Sequence, residues 1–172
     1  MSYALLALLL LAGFVGLSLD SPQSVRSDSL TASEQNLRLR VLNPSLRRFG
    51  EDGVLESTLQ APQASDYGTT RPAQVSQPQM QWPDRGWVAQ GQRGEMTPEQ
   101  TRLIGDAQAQ QPQTQRQLNA PQITQTGDLL VADQGIMRSP DFTGQAEQVT
   151  INTRTQVVTL TDQVETRLWP AR

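Results

Sequence analysis

The sequence predicts an all-β domain carried behind a single apolar segment, and three observations predict it. Residues Tyr3 to Leu19 (YALLALLLLAGFVGLSL) form a run of 17 residues without a charge, and no other stretch approaches it in hydrophobicity. Beyond it, apolar and polar residues alternate at period two in short stretches, broken every 8 to 14 residues by Gly, Pro, Asn and Asp clusters of turn chemistry. No helical period of useful length appears after the apolar run.

A helix over the apolar run rises roughly 25 Å, slightly short of the roughly 30 Å hydrocarbon core but within the range that spans. A signal peptide would want positive charge ahead of the run, and only the Met1 amine supplies any. The one small-x-small cleavage candidate, Gly16-Leu17-Ser18, would leave Leu19 to begin the mature chain. The expectation is therefore a retained anchor over 1–20. Ala12, Gly13 and Gly16 lie on or beside one face of it, where another transmembrane helix could approach closely; small residues are also simply common in such segments. Arg26 is the first basic residue after the run, so the charge distribution permits export of the polar remainder of the chain. Residues 21–36 are Ser- and Asp-rich without periodicity and read as a tether, leaving 37–172 as the exported domain.

In that domain NLRLRVLN opens the fold, with Leu37, Leu39 and Val41 expected on one face. Asp52-Gly53 is a tight-turn signal. GVLESTLQA is the clearest strand, with Leu55, Ser57, Leu59 and Ala61 facing one way. PAQVSQPQMQW places Val75 in a strand, while Pro78 leaves the facing of Met80 and Trp82 open. The turn Pro83-Asp84-Arg85-Gly86 precedes WVAQGQRGEM, with Trp87, Ala89 and Gly91 on one face. After the turn at Thr97-Pro98-Glu99 come TRLIGDAQAQ, a loop over 110–116, then LNAPQITQ, DLLVADQG, DFTGQAEQVTIN and TQVVTLTDQVETRLW. Gly127-Asp128, Ser139-Pro140-Asp141 and Asn152-Thr153 separate the last four.

Composition narrows the chemistry. The chain has no His, no Cys and no Lys, and all 14 basic residues are Arg. Triads, thiol nucleophiles and zinc sites are thereby excluded. Glu51-Asp52 and Asp162 with Glu165 are the nearest carboxylate pairs, but they sit at turns or on a polar strand face, where charge is normally just solvated. No phosphate-binding Gly loop or Ca²⁺ loop is present, so neither an enzyme nor a cofactor is expected. A net charge of −3 without a basic cluster argues against a nucleic-acid partner. The strand faces combine Leu or Val with Ala, Gly or Ser, which suits either a modest core or an open groove for an acyl chain.

The order of these motifs resembles the LptC family, the single-span component of the lipopolysaccharide export machinery of Gram-negative bacteria. The matching elements are the short anchor, EDGVLESTLQA, QVSQPQMQW, GWVAQGQRGEM, Leu103-Ile104-Gly105, LLVADQG and a closing block from Phe142 to Trp169 containing TLTDQV. The resemblance covers nearly the whole chain through order and spacing, although the usual basic residues before the anchor are missing. It implies an open, V-shaped antiparallel β-jellyroll in the periplasm, anchored in the inner membrane. Such a domain takes lipopolysaccharide by its lipid A acyl chains from the ABC transporter of LptB, LptF and LptG and passes it to LptA. Strand alternation together with the resemblance assigns the groove to Leu55, Leu59, Val75, Trp87, Ala89, Leu103, Phe142, Val158 and Leu160. The final edge, with Val157, Thr159, Thr161 and Val164, is assigned to LptA. An LptA-like soluble carrier and a tethered structural β domain without a lipid ligand are the alternatives.

Overall fold

The computed structural model describes residues 37–50, 52–68 and 71–169. Within them the backbone is organised by bends. Four pairs of short strands come first: β1 (Leu39–Leu42) with β2 (Ser45–Phe49), β3 (Leu55–Gln60) with β4 (Gln63–Asp66), β5 (Ala73–Ser76) with β6 (Gln79–Trp82), and β7 (Trp87–Gln90) with β8 (Arg93–Met96). The members of each pair are separated by two residues: Asn43-Pro44, Ala61-Pro62, Gln77-Pro78 and Gly91-Gln92. Proline has no N–H to give a ladder, and Asn43 and Gln77 take positive φ of 51° and 45°, so the chain turns there.

Four longer strands pass through the same bend unbroken: β9 (Thr101–Gln111), β10 (Arg116–Thr126), β11 (Leu129–Arg138) and β12 (Phe142–Asn152). They bend at Gly105-Asp106, at a register shift between Ala120 and Gln122, at Gln134, and at Glu147-Gln148. A last short pair, β13 (Val158–Thr161) and β14 (Glu165–Leu168), is bent at Asp162 and Gln163, both with positive φ. Hydrogen bonds join one corner to the next, among them Asn43 N–H to the Pro62 carbonyl, Gln77 N–H to Gln92, Gln92 N–H to Gly105 and Glu147 N–H to Asp162.

Counted through their bends these are nine strands, and each pairs antiparallel with its neighbours in sequence. The expected antiparallel β domain is thus present, connected as a meander. The bends divide it into two layers. One holds β1, β4, β5, β8, the first halves of β9 and β11, the second halves of β10 and β12, and β13. The other holds β2, β3, β6, β7, the remaining halves of β9 to β12, and β14.

The inner faces of both layers supply a single core: Leu59, Met80, Trp82, Trp87, Ala109, Leu118 and Met137 from one, Val75, Leu103, Ile123, Leu130, Val149 and Ile151 from the other. Complete burial of such a Leu or Ile contributes about 1.5–3 kcal/mol relative to leaving it exposed. Small residues let the layers close. A Cβ built on Gly135 would lie 2.7 Å from Val149 Cγ2 and 3.2 Å from Leu118 Cδ1, so the backbone of β11 is itself part of the packing.

Three expectations are corrected. Ser45–Phe49 is a strand, β2, where residues Arg47 to Gly50 read in the sequence as leading into the Glu51-Asp52-Gly53 turn. Leu39 is 50% exposed on the terminal strand β1, whereas Leu37 and Val41, expected on the same face, are half-buried. The closing segment TQVVTLTDQVETRLW is two strands, since the left-handed residues Asp162 and Gln163 send β13 and β14 to different halves of β12.

Candidate functional site

Turns at the outer ends of the two layers meet opposite the line of bends. Turn 83–86 follows β6 and is closed by Gly86, whose N–H reaches the Trp82 carbonyl and whose φ of 67° suits glycine. It carries Arg85, whose side chain is only 9% exposed. Arg85 donates to Asp128 at 2.6 Å and to the Thr153 hydroxyl at 3.0 Å, both on turns of the other layer. Its own carbonyl accepts from Gln111 Nε2 at 2.9 Å. Arg154 donates to the other Asp128 oxygen at 2.7 Å, and Thr153 holds the Asp128 carbonyl through both its N–H and its hydroxyl. Burial alone would raise the pKa of Asp128. Hydrogen bonds and charge from Arg85 and Arg154 outweigh it and hold the carboxyl below its ordinary value. A second tie, from Arg116 to the Gln156 carbonyl at 3.2 Å, lies nearby. Together these contacts clasp the two layers shut.

Beside the clasp the layers part. A cleft of about 280 Å³ is lined by Arg48, Glu56, Ser57, Trp82 and Arg85 from one layer and Gln125, Gly127, Asp128 and Arg154 from the other. It shares Arg48, Ser57 and Gln125 with an apolar crevice formed by Leu46, Leu59, Met80 and Met96. That crevice has a volume of about 30 Å³, room for about one water. Among the described residues no group of three or more acidic side chains is placed to hold a metal ion.

The residues expected to line a groove divide between the layers. Leu59, Val75, Trp87, Ala89 and Leu103 are buried in the core, Trp87 and Leu103 at 1% exposure. Phe142, Val158 and Leu160 are half-buried and pack against that core, and Leu55 is half-buried on β3. Leu59 alone of the nine reaches the apolar crevice. Thr159 and Thr161 are exposed on β13, whereas Val157 and Val164 are exposed in the segments flanking that strand. Leu168 and Trp169, exposed at 76% and 51%, extend the same end of the molecule along β14 and just beyond it. Ala12, Gly13 and Gly16 lie outside the described residues, as does the rest of the 3–19 run. Among the described residues no helix is long and apolar enough to cross a membrane.

Sequence reasoning misses Leu46, Met80 and Met96 in the crevice and the whole arginine cluster at its mouth. Leu46 and Arg48 share one face of β2, a signal hidden when that stretch is read as a turn approach. Pro78 obscures the register of Met80 in the sequence; the bend at Gln77-Pro78 restarts the alternation, and both Met80 and Trp82 point inward.

Comparison with known proteins agrees with this architecture. No curated protein matches the chain. Among solved structures, the fold is similar to that of LptH from Pseudomonas aeruginosa, described as the LptA-homologous periplasmic component of the conserved lipopolysaccharide transport device. The TM-score is 0.55 at 14% identity, covering 66% of this chain and 95% of that one. The family model described as lipopolysaccharide-assembly, LptC-related, matches residues 4–168. A chain matched over nearly its whole length, with a bent two-layer β meander of this kind, belongs to the LptC family of lipopolysaccharide transport proteins.

Proposed function

We propose that this protein takes lipopolysaccharide from the inner-membrane ABC transporter of LptB, LptF and LptG, holds its acyl chains between the two β layers, and hands it to LptA. Family membership supports the pathway, and the observation that carries the rest is the pair of facing apolar layers ending in unpartnered strands. Each CH₂ transferred from water to such an interior is worth about 0.8 kcal/mol, so several acyl chains bind firmly without directional chemistry. The crevice is too small for an acyl chain, so loading requires the layers to separate beside Leu46 and Leu59, where the terminal strand β2 is exposed at every position but Leu46.

The apolar run at 3–19 anchors the domain in the inner membrane, and Ala12, Gly13 and Gly16 pack it against transporter helices. Leu replacements at Ala12 and Gly16 weaken copurification with the transporter without affecting insertion. At the other end β13 and β14 each pair only with β12, leaving strand edges available for addition of a strand from LptA. Photo-crosslinking in cells tests the central step. Probes at Leu59 and Val158 crosslink to lipopolysaccharide, and Asp at either position reduces lipid recovered with the folded protein. Undiminished lipid on folded Asp variants overturns the interior route. Deleting 162–172 abolishes LptA capture while sparing the transporter, and a truncated protein that still captures LptA rules out this exit.

A further inference from the structure

We infer that the cleft between Arg48, Arg85 and Arg154 is a binding site for a phosphate monoester on the headgroup of the bound amphiphile. This rests on the lipid-carrier reading above and assigns the polar end of the ligand, which that reading leaves open. Among the described residues five charged side chains line the cleft, the three arginines together with Glu56 and Asp128, and their charges sum to one net positive. The charges are not equivalent. Asp128 is already engaged by Arg85 at 2.6 Å from across the gap and by Arg154 at 2.7 Å from its own layer, which fixes both guanidinium groups beside the cleft. Arg48, in contrast, makes no hydrogen bond or ion pair among the described residues, although it stands at the mouth of both the polar cleft and the apolar crevice.

An unpaired guanidinium beside two oriented ones matches a tetrahedral dianion. Arginine presents donors in a planar fork that fits phosphate oxygens, and Arg48 and Arg154 keep N–H groups that Asp128 does not use. About 280 Å³ of space admits a phosphate with part of a sugar attached. Once the layers separate, the adjoining apolar walls of Leu46, Leu59, Met80 and Met96 receive what lies behind that sugar. A free anion has no use for that wall, whereas an amphiphile uses both halves. Glu56 opposes the anion and sets a sign that can be tested.

The test compares binding of lipid A bearing both phosphates with enzymatically dephosphorylated lipid A, using the full-length protein in detergent. Wild type retains the phosphorylated form about tenfold better, the effect of one charge-assisted contact. Arg48→Gln with Arg154→Gln removes that preference and leaves the dephosphorylated form bound as before. Glu56→Gln strengthens the preference severalfold, a gain that misfolding cannot produce. Equal binding of both lipids by wild type, or a preference that survives in the double variant, overturns the site while leaving the lipid-carrier reading intact. If neither lipid binds, glucosamine 1-phosphate decides. Chemical-shift changes at the Arg48 and Arg154 guanidinium groups keep the anion site and sink the lipid reading, whereas no change sinks both. Inorganic phosphate that competes as well as the sugar phosphate shows a site for the free ion and overturns the headgroup assignment.

Discussion

The four long strands β9 to β12 and the short strands at the two ends of the meander are built from the same bent unit to opposite purpose. The long strands supply Leu103, Leu118, Ile123, Leu130, Met137, Val149 and Ile151, each with 1% exposure or less. The terminal strands bury almost nothing: β14 is exposed at every position, and β2 is exposed at all but Leu46. Continuity through the bend makes the difference. A strand hydrogen-bonded on both sides in both layers has its two inner faces fixed relative to each other. A terminal strand is held on one side and is open to a partner on the other.

Substitutions that act on one region and not the other should separate these roles. The largest effect is expected from Ile123→Ala or Leu130→Ala, each costing about 3 kcal/mol in chemical denaturation, while Leu168→Ala costs less than about 0.5 kcal/mol. Equal losses would mean the terminal strands share the core's burden. Gly135→Val should cost about 2 kcal/mol, because its side chain would collide with Val149 and Leu118 inside β11's tight contact. Arg85→Ala is expected to cost slightly less, about 1.5 kcal/mol, and to raise hydrogen exchange at Asp128 and Thr153, since it removes the clasp's contacts from Arg85 but neither the Arg116 tie nor the ladders.

The smallest effect is one of pH. Asp128 has a folded pKa lowered from the ordinary 3.8, so its contribution to stability is complete above that value and is lost as pH falls through the lowered one. Asp128→Asn should therefore be less stable than wild type at neutral pH, and the difference should shrink below about pH 4. A gap that stays constant to about pH 2 would show that the carboxylate charge is not what closes the layers.

The sequence made the class of fold legible and hid its bends. A strict period of two puts Leu118 and Ala120 on the face opposite Ile123 and Gln125. In the structure all four are buried, because the register slips at Pro121-Gln122. The same slip places Leu130 and Ala132 with Gly135 and Met137, and Gly144 and Ala146 with Val149 and Ile151. The pairs Pro121-Gln122, Asp133-Gln134 and Glu147-Gln148 are visible as interruptions; the thing they interrupt, a single long strand crossing two layers, emerges only from the ladders on both sides. The clasp is less legible still. Arg85 reads as an ordinary turn residue, and its partners arrive from turns far along the chain, so no local spacing announces them.

The meander also bears on how the chain reaches its shape. Every ladder joins bent strands that are consecutive in sequence, so no strand waits for a distant ladder partner, and only the clasp between turns must close over long spans. Each bent strand can be templated by the one before it as the chain emerges, with β12 serving as the growing end until β13 and β14 arrive. Refolding of the domain should accordingly be fast for an all-β protein of its size, and should slow little when β14 is removed. The strand that joins last, β14, is exposed at every position and adds least to the core.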